Sequence, residues 1–111
     1  MTDLPIEISV DDTQQLVESD SAVLLLDCRN PDEFKFVHLP NATLIPMDEI
    51  TTRSEELTKS EADRIVVYCH MGVRSRMVTQ WLRENGFPAA QSMAGGIDAW
   101  SVQIDTTLPR Y

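Results

Sequence analysis

Ile65-Val66-Val67-Tyr68-Cys69-His70-Met71-Gly72-Val73-Arg74-Ser75 carries a cysteine from the end of an apolar run into a short loop holding glycine and arginine. The first four residues have the length and character of a short buried strand. Residues 75–85 read as a helix, so the few residues between must wrap back over the cysteine. Such a strand–loop–helix turn aims backbone N–H groups and the positive helix end at one point. A thiol at that point is biased toward thiolate, its nucleophilic form. Cys69 is therefore the candidate catalytic residue.

Downstream, Met77, Val78, Trp81 and Leu82 form one apolar helix face. Gly86 supplies a left-handed position after the helix, with Pro88 just beyond. Residues 91–93 read as a short strand, Gly95-Gly96 as a turn and 97–102 as a short helix. Upstream, Ser9 reads as the N-cap of a helix with Asp12 in its first turn and Val10, Leu16 and Val17 on its buried side. The run Ala22-Val23-Leu24-Leu25-Leu26 is a strand ended by Asp27-Cys28-Arg29-Asn30-Pro31. Pro31 opens a short helix to about residue 36. Residues 42–45 are a weak strand, 47–53 a short helix, and 55–62 a polar connection or a further helical turn.

Apolar strands alternating with helices predict an α/β fold, a parallel sheet covered on both faces. Ligands collect at the carboxyl ends of strands in such sheets. Both Asp27-Cys28-Arg29 and the loop 69–74 begin at such ends, which puts them on one rim.

The length of 111 residues predicts a single domain over 1–111, enough for one core and too little for two. Met1-Thr2-Asp3-Leu4-Pro5 has neither a basic start nor an apolar stretch, and no apolar run approaches a membrane span. Two cysteines argue against a disulfide framework and make the cytoplasm the expected location. A net charge of −9 argues against nucleic acid or an anionic membrane as partner. The charge is uneven: between Ile65 and Gly95, Arg74, Arg76 and Arg83 face Glu84 alone, while the acids concentrate in 2–20 and 48–63. A locally cationic loop in an acidic protein can still take a small anion.

Gly72 permits a backbone turn closed to other residues, so consecutive N–H groups can converge as a nest over Cys69. Arg74 can offer its fork to an incoming oxyanion or brace the loop from behind. His70 either lowers the thiol pKa when protonated or is an exposed loop histidine. Ser75 reads as the N-cap of the following helix. Four residues separate Cys69 from Arg74, one fewer than in the loop with which protein tyrosine phosphatases enclose phosphate. The tighter cradle is matched to a single sulfur atom on the cysteine.

At these residues the chain resembles the rhodanese family of sulfurtransferases. Asp27-Cys28-Arg29-Asn30-Pro31-Asp32-Glu33-Phe34 with His38-Leu39-Pro40-Asn41-Ala42 is similar to the family's N-terminal signature, residues 69–74 to its six-residue active loop, and Gly95-Gly96-Ile97-Asp98-Ala99-Trp100 to its C-terminal signature. The stretch from Ile104 to Tyr111 resembles the tail of rhodanese domains fused to E1-like enzymes that activate sulfur-carrier proteins, here as a stand-alone version. The resemblance implies a three-layer rhodanese-like fold with a mainly parallel sheet of about five strands. It implies sulfur transfer from a small sulfur-containing anion such as thiosulfate to cyanide, a thiol or a sulfur-carrier protein through a Cys69 persulfide, with no cofactor.

The implied substrate-binding residues are His70, Met71, Gly72, Val73 and Arg74, whose N–H groups would hold the outer sulfur, with Arg29 attracting the donor or else pairing with Glu33 or another acid. Cys28 stands where many members carry an aliphatic residue. It is either a small buried hydrophobe or a resolving thiol for Cys69. Asp27 reads as a buried brace, His38 as structural at a turn, Trp81 and Trp100 as core. Neither cysteines nor histidines have metal-ligand spacing. Two alternatives stay open: a non-catalytic persulfide-sensing or docking module, and a cysteine phosphatase or arsenate reductase.

Overall fold

Near-continuous apolar strands joined by helices give the chain a layered architecture in the computed structural model, which describes residues 4–19, 22–60, 62 and 64–111. Asp3, Asp20, Glu61 and Asp63 of the acidic segments, and residues 1–3 of the N-terminal stretch, lie outside the described residues. In chain order the elements are β1 (Glu7–Ile8), α1 (Val10–Ser19), β2 (Val23–Asp27), α2 (Pro31–Phe36) and β3 (Thr43–Leu44). A 3-10 turn at Met47–Glu49 leads into α3 (Ile50–Arg53) and α4 (Glu55–Thr58). Then come β4 (Arg64–Tyr68), α5 (Val73–Glu84), β5 (Ala90–Met93) and α6 (Gly96–Gln103).

The sheet runs β1-β5-β4-β2-β3, and every pairing is parallel. The central pair sets Leu24, Leu25 and Leu26 opposite Ile65, Val66 and Val67. Successive side chains of a strand point to opposite faces. Leu24, Leu26, Ile65 and Val67 thus enter one core with Ile50 of α3, Leu57 of α4, and Val78 and Leu82 of α5. Leu25, Val66 and Tyr68 enter the other with Val10 of α1 and Ile97 and Trp100 of α6. Leu26, Val66, Val67 and Leu82 are completely buried. Each such side chain contributes roughly 1.5–3 kcal/mol on leaving water.

The predicted α/β class, parallel sheet and two helical layers agree with this architecture. Ser9 caps α1 as expected, accepting the Asp12 N–H at 3.0 Å. Val17, expected on the buried side, is exposed, and Thr13 takes its place, fully buried with its hydroxyl donating to Ser9 O. Met77 is also exposed, so the buried stripe of α5 is narrower than its apolar sequence. α5 begins at Val73, two residues before the expected start, because Gly72 at φ +110° turns the chain directly into the helix. Ser75 is therefore not an N-cap; it lies in the first helical turn. β1 was not predicted. Its two residues gain their place by pairing Glu7 and Ile8 with Ser92 and Met93, a long-range event without local signature.

Candidate active site

β4 delivers Cys69 to the carboxyl edge of the sheet, and the loop folds back so that its donors meet the sulfur. The Gly72 N–H donates to Cys69 Sγ at 3.1 Å and the Ser75 N–H at 3.3 Å. Ser75 Oγ lies 3.4 Å from the same sulfur and 2.7 Å from Ser92 Oγ on β5. Ser92 can donate to Ser75, whose own hydroxyl hydrogen is then shared between the Gly72 carbonyl at 3.2 Å and a thiolate at Cys69. Gly72 is indispensable to this turn: its φ is left-handed, and a Cβ there would press on the backbone N of Gly95.

These contacts hold the Cys69 thiol well below its ordinary value. The neighbouring Cys28 thiol is the first cause, followed by the Ser75 and Gly72 donors, while burial works in the opposite direction. Cys28 is pushed strongly upward by the same pairing and by its own burial, so it keeps its proton. Two backbone donors converge on Cys69, whereas Cys28 Sγ faces the Tyr68 carbonyl at 3.5 Å. The negative charge of the pair therefore resides on Cys69. Both cysteines are free thiols.

The C-terminal signature supports the loop from below. The Ile97 and Asp98 N–H groups, at the start of α6, donate to the Cys69 and His70 carbonyls at 2.9 and 3.0 Å. A Cβ on Gly96 would overlap both of those carbonyls.

The arginines have inward tasks. Arg29 is completely buried; its fork grips both Asp27 carboxylate oxygens, donates to the Val37 carbonyl and reaches the Tyr111 hydroxyl. Its acid partner is Asp27, not Glu33, and it turns no donor toward solvent as an anion attractor would. Arg74 makes a two-pronged pair with Glu33 at 2.7 and 3.0 Å, which braces the loop against α2. Arg74, Tyr111 and the Asn30 N–H hold Glu33 down to about 2. The local positive charge read from the sequence is thus partly cancelled at the loop, while Arg76 stays exposed along the groove beside it.

His70 lies half-buried with its ring stacked on Tyr111, centroids 4.0 Å apart. Met71 and Val73 are exposed on the outer side of the loop. With Gly72, Arg76, Met77 and Trp81 they line a groove of about 720 Å³. Loop residues 69–74 are thus gathered at one place, with Arg29 behind them. Sequence reasoning missed Glu33 as the partner of Arg74, Ser75 and Ser92 as a hydroxyl pair at the sulfur, and Tyr111 against His70. The only advance signal was at Glu33, three residues after Asn30 at a helix start. Among the described residues no group of three His, Cys, Asp or Glu is arranged to hold a metal, and no helix is long and apolar enough to cross a membrane.

A thiolate cradled by helix-start N–H groups at the end of a parallel strand defines an α/β protein equipped for nucleophilic chemistry at cysteine. The model of the rhodanese-like domain matches residues 9–103, and the chain belongs to that family. It is 34% identical over 95 residues to the putative sulfur carrier protein YrkF of Bacillus subtilis, covering 86% of the chain and 50% of that protein. It is 33% identical over 95 residues to a sulfurtransferase of Allochromatium vinosum, covering 86% and 87%. With the adenylyltransferase and sulfurtransferase MOCS3 of Arabidopsis thaliana it shares 30% identity over 124 residues, across 97% of the chain and 27% of that protein. The chain thus spans half or less of the length of YrkF and MOCS3. The crystal structure of a rhodanese-like domain protein from Staphylococcus aureus superposes with a TM-score of 0.79 at 31% identity, covering 96% of this chain and 99% of the other.

Proposed function

We propose that the chain is a sulfurtransferase working by double displacement through a Cys69 persulfide, in the reducing surroundings of the cytoplasm. The Cys69 thiolate attacks the sulfane sulfur of a donor such as thiosulfate. The new bond joins that sulfur to Sγ, the old S–S bond breaks, and its electron pair leaves with sulfite. An acceptor thiolate, cyanide or a sulfur-carrier protein then attacks the outer sulfur and returns Cys69 as thiolate. Supporting this reading is one observation above all: Gly72 and Ser75 donate to Sγ from a loop with four residues between Cys69 and Arg74. Those donors favour the Sγ thiolate that attacks the donor and that is regenerated when the acceptor takes the outer sulfur.

Gly72, with the backbone of His70, Met71, Val73 and Arg74, forms the cradle. Arg74 acts as its brace through Glu33, and Arg29 supports the strand end beneath. The apolar rim of Met71, Val73 and Met77 is the face an acceptor would meet, and it also fits a module that displays a persulfide to a partner. Intact mass after exposure to thiosulfate tests the reading: one added sulfur is expected on the chain and none on Cys69→Ser. Transfer of that sulfur to cyanide or a thiol separates a sulfurtransferase from a display module. No adduct with thiosulfate or an inorganic polysulfide overturns the proposal.

A further inference from the structure

Two cysteines lie on the same face of the two central strands, at matching positions. Leu26 and Val67 are paired in register and face the α5 side of the sheet. Cys28 and Cys69 each follow two residues later, one step beyond the last registered pair, Asp27 and Tyr68. The period of two keeps both thiols on that face, and both belong to the same buried cluster. The Cys28 N–H donates to the Tyr68 carbonyl at 3.1 Å, so the parallel ladder continues to Cys28 and holds it beside Cys69. Neighbouring parallel strands stand about 4.8 Å apart, within the roughly 4.4–6.8 Å of Cα separation that a disulfide spans.

We propose that Cys28 is a resolving nucleophile that discharges the Cys69 persulfide as hydrosulfide, giving the chain a sulfide-releasing activity besides sulfur transfer. The step rests on the persulfide reading above. Cys28 Sγ attacks Cys69 Sγ as thiolate, its proton passing to the outer sulfur of the persulfide anion; the bond between the two cysteines forms as the bond to the outer sulfur breaks. The outer sulfur leaves with the electron pair and takes the proton of the Cys28 thiol, so a persulfide anion and a thiol become a disulfide and HS⁻. The sulfane sulfur is reduced, the two cysteines are oxidised, and no outside oxidant enters. An external dithiol returns the pair to the reduced state by exchange.

Several features of the site suit this step. Cys28 is buried and retains its proton next to Cys69, so the proton required by the departing sulfur is already in place. In sulfur transfer Cys28 only supports the Cys69 thiolate, and no step of that route uses it as a nucleophile. A methyl-bearing side chain would fill the same core position without a reactive atom.

The test compares the reduced chain with Cys28→Ser, which keeps a donor beside Cys69 and removes the nucleophile. Cys28→Ala serves as the second variant, and both are checked for the parent circular dichroism spectrum. Each is given one equivalent of thiosulfate or, separately, sodium tetrasulfide. Intact mass under non-reducing conditions, peptide mapping and sulfide trapping are followed over time. In the parent chain the added sulfur is expected to decay into a species two hydrogens lighter than the starting chain, with a mapped Cys28–Cys69 link and one equivalent of sulfide released. In both variants the adduct is expected to persist and sulfide release to fall to background. An adduct that persists equally in all three chains, with no cross-link, overturns this step and leaves sulfur transfer standing. Equal sulfide release from parent and variants also overturns it. Absence of any adduct on all three overturns the persulfide reading itself and this step with it.

Discussion

At the scale of single residues, Cys28 and the loop donors together hold the Cys69 thiol as an anion, and that has a measurable signature. An unperturbed thiol, with a pKa of about 8.5, loses alkylation rate about tenfold for each pH unit below that value. Cys69 sits far lower, so its alkylation by iodoacetamide should stay flat from alkaline through neutral pH and fall only in acid. A profile with its midpoint in the usual thiol range would sink the assignment. Ser75→Ala removes one donor to the anion. Hydrogen bonds to charged groups are worth about 1.5–3 kcal/mol, so the falling limb should move up by about one to two pH units. Behind the loop, the Asp27–Arg29 pair is wholly buried. Breaking such a pair from one side leaves a buried charge uncompensated, and Asp27→Ala should lower stability by about 3–5 kcal/mol in urea unfolding. A loss below about 1 kcal/mol would show that water or another acid replaces Asp27.

At the scale of elements, the site depends on how closely α6 approaches the loop. Gly96 at φ +63° lets the first N–H groups of α6 cap the Cys69 and His70 carbonyls, and a Cβ would overlap both oxygens. Gly96→Ala therefore combines left-handed strain with overpacking, an expected loss of about 2–4 kcal/mol. Thermal unfolding measures that loss, and the alkylation profile should shift toward an ordinary thiol as the loop relaxes. Parent-like behaviour in both would mean the approach is looser than it looks. The same glycine shows what a sequence can disclose. Gly95-Gly96 is legible as a turn, and Ile65–Tyr68 as a strand, because each is dictated by its own side chains. The parallel class and the single rim for residues 27–29 and 69–74 follow from those local elements. The exact start of α5 is not legible, since it depends on the φ that Gly72 adopts under Gly95. Nor is the Glu33–Arg74 pair, whose members stand far apart in the chain and meet only when α2 and the loop are docked. β1 is invisible for the same reason: two residues become a strand only by pairing with β5.

At the scale of the whole molecule, one polar chain ties distant segments to the loop. Asp27 holds Arg29, Arg29 reaches the Tyr111 hydroxyl, that hydroxyl donates to Glu33, and Glu33 holds Arg74. α2, the loop and the segment at Tyr111 thereby meet at the Glu33 carboxylate, and Asp27 with Arg29 ties the strand end to Tyr111. Glu33 is lowered in the folded protein relative to an ordinary glutamate near 4.3, to about 2. A depressed carboxylate stabilises the fold fully above its unfolded value, and that share is lost as pH falls through the folded value. The window is thus roughly pH 4 down to 2. Glu33 and Arg74 keep partial contact with solvent, 15% and 29% of their side chains, so screening limits the pair to about 1 kcal/mol. Glu33→Gln should be less stable than the parent by that amount at neutral pH, and the difference should shrink toward zero as the parent is titrated through the window. Urea midpoints at a series of pH values measure it. A difference that is constant across pH would mean the amide fails for reasons of shape, and the carboxylate charge is not what couples Tyr111 and α2 to the loop.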